Sequence, residues 1–171
     1  MSIVYDASLL VLAQCGKGIC MASTHDVAAE ILRQYGRPLS PMKLQKLVYY
    51  SQAWQLAWTG KPLFAEPIQA WAMGPVVPEL YRLHRGLYEV TDWPSGSPDD
   101  LTADERQAIT SVMCTYGEKQ ARWLSARTHE EEPWLLAREG LPEGASSNRE
   151  ITQASMLRYY GGRLLARHLA T

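Results

Sequence analysis

Residues 40–60, SPMKLQKLVYYSQAWQLAWTG, decide the fold. Ser40 is a helix-capping residue, and Pro41 follows at the first helical position, where the missing N–H has no intrahelical partner to lose. Gly60 and then Pro62 supply the stop, so the spacing predicts a helix reaching about Thr59. Leu44, Leu47, Val48, Ser51, Trp54 and Trp58 recur at intervals of three and four, and Tyr50, Ala53 and Ala57 widen that face beyond an amphipathic stripe. A helix so broadly apolar needs neighbours on several sides, which makes it the central helix of a helical domain. It contains no acidic residue. Lys43, Lys46 and Tyr49 are assigned to its polar side, either as solvated groups whose stems lie over neighbours or as part of a partner-binding face.

Before this helix, Ser23 or Thr24 caps another, with Asp26 in its first turn, an apolar stripe of Val27, Ala28, Ile31, Leu32 and Tyr35, and Gly36 at its end. After it, Pro62, Pro67, Pro75 and Pro78 forbid a continuous helix, and Ile68–Met73 reads as a short strand ending at Gly74 in a small ribbon. Pro78 opens a helix closed by Gly86, and residues 91–100, TDWPSGSPDD, form a surface loop. Thr102 and Glu105 make a capping box for a helix along Ile109, Val112, Met113 and Tyr116. A further helix over about Lys119–Arg127, a short one opening at Pro133 and a last one over about Glu150–Leu169 complete the chain. The expected fold is mainly α: one compact domain of about six helices with a small β ribbon (α+β).

Size and composition agree with one domain. The chain has 171 residues, 46% of them hydrophobic and 20% charged, which is ordinary globular composition and excludes wholesale disorder. Its formal net charge is -1, distributed as +2 over residues 1–91, -6 over 92–143 and +3 over 144–171. Without a general basic excess there is little to hold a phosphate backbone, so nucleic acid is not an expected partner and the opposite charges are read as pairing internally. Cys15, Cys20 and Cys114 are too few for a disulfide framework and contain no CxxC pair, which suits a reducing, cytoplasmic compartment. No apolar run is long enough to span a membrane. Residues 1–20 lack the basic start of a secretion signal and precede a methionine that leads directly into a capped helix. They are read as an N-terminal extension upstream of a native start at Met21, leaving 21–171 as the functional domain.

Common catalytic motifs are missing: there is no GxSxG elbow, Walker loop, GxGxxG loop or HExxH helix. His129 and Glu132, three apart, share a face if one helix carries both, but one such pair supplies too few ligands for zinc, and His25, His84 and His168 add no metal spacing. Glu130, Glu131 and Glu132 read as a solvated helix start before Pro133, and Cys114 as a small core residue on an apolar repeat. No catalytic residue, metal or cofactor is therefore expected. Aromatic usage is skewed, with nine Tyr and six Trp against one Phe, and rings of this kind are enriched where proteins meet. Trp54 and Trp58 follow the core period, whereas Trp71, Tyr81, Trp93 and Trp134 lie near turns and are expected to be partly exposed.

The stretch SPMKLQKLVYYSQAWQLAWTGKPLFAEPIQAWAMGPVVPELYRLHR (40–85), followed by ADERQAITSVMCTYG (103–117), LSARTHEEEPWLLAR (124–138) and MLRYY (156–160), closely resembles the Panacea domain of the SocA-like antitoxin family. The ordered combination of MKLQKLVYYSQAW, GPVVPELY and THEEEPW is specific, and the likeness runs from about Thr24 to Tyr160. Gln55 departs from it, since many relatives carry a histidine there. The resemblance implies a non-enzymatic antitoxin of a bacterial or prophage toxin-antitoxin system, holding a toxin encoded nearby inactive by direct binding. An adaptor delivering the toxin to a AAA+ protease is an alternative, as is a DNA-binding autoregulator, to which only Arg158, Arg163 and Arg167 lend residues. Candidate partner contacts are Lys43, Lys46 and Tyr49 on the central helix, Trp71, Met73, Pro75 and Val76 in the ribbon, and a second cluster of His129, Glu132 and Trp134.

Overall fold

The central helix begins as its punctuation requires. In the computed structural model, which describes residues 21–169, the Ser40 hydroxyl accepts from the Lys43 amide, Pro41 opens helix α2 (Pro41–Thr59) and Gly60 closes it in the left-handed conformation. Replacing Ser40 by Ala removes the one side-chain acceptor at this end and is expected to cost about 1 kcal/mol, read as a lower urea midpoint; Ser40→Asp should restore it.

Every residue of α2 from Lys43 to Leu56 is buried, so this helix has no polar side. Helices α1 (Thr24–Tyr35), α4 (Ala103–Tyr116), α5 (Ala121–His129) and α7 (Gln153–Leu169) pack around it, and the ribbon joins them. Enclosure on all sides corrects the expectation for Lys43, Lys46 and Tyr49, which are 7%, 1% and 0% exposed. The buried glutamines of α2 serve as substitute strands. Gln52 accepts from the Leu63 and Phe64 amides and donates to the Phe64 carbonyl, fixing the chain just after the helix. Gln45 does the same for Val77, accepting from its amide and donating to its carbonyl.

The ribbon consists of β1 (Gln69–Trp71) and β2 (Gly74–Val76), antiparallel, with Ala70 opposite Pro75. On the other edge of β1 the Ala70 amide donates to the Arg149 carbonyl, and Ile151 donates to Ile68. Those ladder bonds occupy the residues just before α7, which is why the last helix starts at Gln153 and not near Glu150. Helix α3 (Pro78–His84) follows β2 directly, and α6 (Glu132–Ala137) is a short helix entered through Pro133.

Two further expectations are corrected. The 91–100 loop is not a free excursion: Trp93 is 7% exposed and donates to His25, and the Ser97 amide donates to Asp26. Gly96 allows that approach, since a Cβ there would lie 2.2 Å from the His25 carbonyl oxygen. Cys114 is exposed: it lines a surface groove between α4 and the end of α1 and is not a core residue. The extension assigned to residues 1–20 lies outside the described residues. Among those described, no helix is long and apolar enough to cross a membrane.

Candidate functional site

The ribbon is held by side chains that donate to its backbone carbonyls. Lys46 Nζ lies 3.0 Å from the Pro75 carbonyl, Ser125 Oγ 2.8 Å from that of Met73, Trp134 Nε1 3.0 Å from that of Trp71, and an Arg138 nitrogen 2.9 Å from that of Ala70. Four donors from α2, α5, α6 and the end of α6 therefore replace the strands that a two-stranded ribbon lacks. The tip can face solvent without fraying.

What faces solvent there is apolar. Met73, in the turn between the strands, is 59% exposed, and Trp71 is half-buried with its ring edge against Tyr81. Together with Val76 they line two grooves, one of about 510 Å³ shared with Ser146, Ser147 and Asn148, the other of about 280 Å³ shared with α3. The ribbon is thus a ridge with a groove on either side. Pro75 is buried and contributes its carbonyl to Lys46.

The two clusters of candidate residues converge in part. His129 stacks on Trp134, with ring centroids 4.1 Å apart, and Arg138 covers the same indole at 5.0 Å. Because Trp134 donates to Trp71, this stack buttresses the ribbon. His129 Nε2 is buried without a hydrogen-bond partner, and desolvation, reinforced by the nearby charges of Lys46 and Arg138, lowers its pKa. Burial likewise pulls Lys46 down to about 7.

Lys43, Tyr49 and Glu132 lie elsewhere. Lys43 donates to the Tyr35 hydroxyl; Tyr49 packs among Tyr50 and Tyr160. Glu132 stands on α6 while His129 ends α5, so the two do not share a helical face, and Glu132 pairs with Arg158. Among the described residues no three His, Cys, Asp or Glu side chains gather as a metal site. The arginines offered to a DNA-binding reading are engaged as well: Arg158 by Glu132, Arg163 by the Tyr159 hydroxyl. The Arg167 side chain lies outside the described residues.

A model of the family described as "Antitoxin SocA-like, Panacea domain" matches residues 44–135, more than half of the chain. The chain belongs to this family. No curated protein and no solved structure matches it. The Panacea match runs from the second turn of α2 to α6 and contains every candidate contact residue except Lys43. The family is one of antitoxins, which implies a toxin as partner in general.

Helix α7 lies beyond the matched range, yet it completes the core of this Panacea domain through Tyr160. The Tyr160 hydroxyl donates to Glu131 at 2.6 Å, a carboxylate 1% exposed that burial pushes up to about 7. The solvated run expected over Glu130, Glu131 and Glu132 is corrected at its middle: the Glu131 side chain turns inward while Glu130 and Glu132 remain outside with Arg127 and Arg158. The anchoring roles of Gln45, Ser125 and Arg138 were also missed. The one available signal was Gln45 and Gln52, polar residues on a helix too apolar to have an exposed side.

Proposed function

We propose that this chain neutralises a toxin encoded nearby by seating the ribbon ridge against it, with Met73 and Trp71 as the apolar contacts and Val76 on the groove walls. Lys46, Pro75, His129 and Trp134 act from beneath by holding the ridge in place, and no covalent chemistry is involved. The observation that carries this reading is an exposed methionine between two apolar grooves on a ribbon fixed by four side-chain-to-carbonyl bonds. Exposed apolar surface of that kind marks interaction sites, and a ridge that is already rigid loses little conformational freedom on binding. A tryptophan at the desolvated centre of an interface is the kind of residue whose truncation costs about 2 kcal/mol or more.

The test is co-expression with the neighbouring toxin gene. Wild-type protein is expected to restore growth and to co-purify with the toxin. Met73→Glu is expected to abolish both while leaving the melting temperature within about 2 °C, because Met73 is exposed and its carbonyl, not its side chain, is bonded internally. Full neutralisation by Met73→Glu together with Trp71→Ala overturns the ridge as the contact surface; absence of any rescue by the wild type overturns neutralisation itself.

A further inference from the structure

A groove of about 550 Å³ lies away from the ribbon, between the C-terminal part of α2 and helices α4, α5 and α7. Trp58 and Trp123 stand on its walls, 40% and 45% exposed. Its charged lining consists of Lys119, Arg127 and Arg163, with no acidic residue among the lining groups. Arg127 is paired with Glu130, but neither Lys119 nor Arg163 takes part in an ion pair among the described residues. Lys119 Nζ lies 5.4 Å over the Trp123 ring, and the Arg163 guanidinium lies 5.5 Å over Tyr159, donates to its hydroxyl and feels the charge of the buried Glu131 without forming an ion pair with it.

We propose that this groove docks an acidic segment of a partner protein, with an apolar or aromatic side chain inserted between Trp58 and Trp123 and flanking carboxylates on Lys119 and Arg163. Exposed indoles beside cations that form no ion pair suit that occupant twice over: the rings offer large apolar area at little entropic cost, and the charges select the sign of the flanks. A nucleic-acid strand fits less well. Each indole already has a face occupied, Trp58 stacking on Trp54 at 5.6 Å and Trp123 lying under Lys119, which leaves room for one inserted side chain but not the run of open faces on which successive bases stack. This inference rests on the reading that the chain works by binding another polypeptide, but it involves a surface separate from the ridge.

The test uses the isolated full chain and its own tryptophan fluorescence, titrated with the tryptophan-free peptide acetyl-Glu-Asp-Glu-Leu-Phe-Asp-Glu-amide. A saturable change that weakens with added salt is expected, with affinity falling about tenfold for the Lys119→Gln/Arg163→Gln pair and for Trp123→Ala. Unchanged melting temperatures in these variants exclude unfolding as the cause. No saturable change with wild type, equal affinity in the glutamine pair, or saturable binding of an oligo-dT strand in place of the peptide overturns the proposal. Neutralisation in the co-expression assay separates the two readings: peptide binding with lost neutralisation counts against the toxin-masking function, and neutralisation without peptide binding counts against the groove alone.

Discussion

Raising the pH from about 5 to 7 should weaken the fold, and raising it from about 7 to 10 should restore it. Two buried groups with opposite charges produce this trough. Glu131 has its carboxyl pushed from 4.5 up to about 7, chiefly because burial strips its water; the Tyr160 hydroxyl and Arg127 pull the other way and do not win, since Arg127 approaches only to 3.8 Å. Between those values the folded protein holds a proton that the unfolded chain has released, so stability falls as pH rises. Lys46 is pulled from 10.5 down to about 7, again by burial, with the Pro75 carbonyl as its one hydrogen-bond acceptor. Between 7 and 10.5 the unfolded chain holds the extra proton, and stability rises with pH. At about 1.4 kcal/mol per unit the two arms are on the order of 3 and 4 kcal/mol. Above about 10 the buried hydroxyls of Tyr49 and Tyr160, whose pKa values are raised well beyond the ordinary phenol by the same desolvation, begin to pull stability down again. Urea midpoints across this range check the shape. Glu131→Gln should flatten the acid arm and Lys46→Met the alkaline arm; a wild-type profile without a minimum near neutrality, or one that both variants reproduce, contradicts the account.

Most of the fold was legible in the sequence because its punctuation is local. Ser23, Ser40 and Thr102 cap helices, Pro41 and Pro78 open them, and Gly36 and Gly60 close them, each acting through its own backbone position. What surrounds a helix is not local. Lys46 reads as a polar-face residue until the Pro75 carbonyl, 29 residues further along in the ribbon, supplies the acceptor that lets an ammonium stem lie inside. Glu131 is similar: only the arrival of Tyr160, 29 residues further along, makes an inward rotamer tenable for the middle of three glutamates. The ridge residues Trp71, Met73 and Val76 were recognisable as a group, and His129 and Trp134 as another; that one supports the other depends on a hydrogen bond between an indole and a carbonyl 63 residues apart. In the sequence Gly74 marks only the end of a strand; its place as the pivot of the ridge depends on Lys46 and Thr128, which pack against it.

Gly74→Ala should therefore destabilise the protein by about 3–5 kcal/mol and lower its melting temperature by roughly 10 °C. The backbone at Gly74 has φ +101°, a conformation that L side chains rarely adopt, and holding a non-glycine residue there costs about 1–3 kcal/mol by itself. The added Cβ would also stand 2.7 Å from Lys46 Cε and 2.8 Å from Thr128 Oγ1. Neither neighbour is free to leave: Lys46 is 1% exposed and bonded to Pro75, and Thr128 is fully buried and donates to the Ser125 carbonyl. Displacing the lysine breaks the bond that anchors β2, and displacing the threonine disturbs the helix turn whose Ser125 anchors Met73. The double variant Gly74→Ala/Lys46→Ala separates the two causes, because it removes the collision with the lysine but keeps the backbone strain; it is expected to be destabilised by about 1–2 kcal/mol less than the sum of the single changes. Binding follows from the same geometry. With the ridge loosened at its Lys46 and Ser125 anchors, neutralisation should fail at temperatures where circular dichroism still shows a folded helical domain, whereas the response of the Trp58–Trp123 groove to the acidic peptide should persist. A Gly74→Ala protein as stable as wild type and fully protective against the toxin would show that the ridge neither depends on this glycine nor needs its present shape to bind.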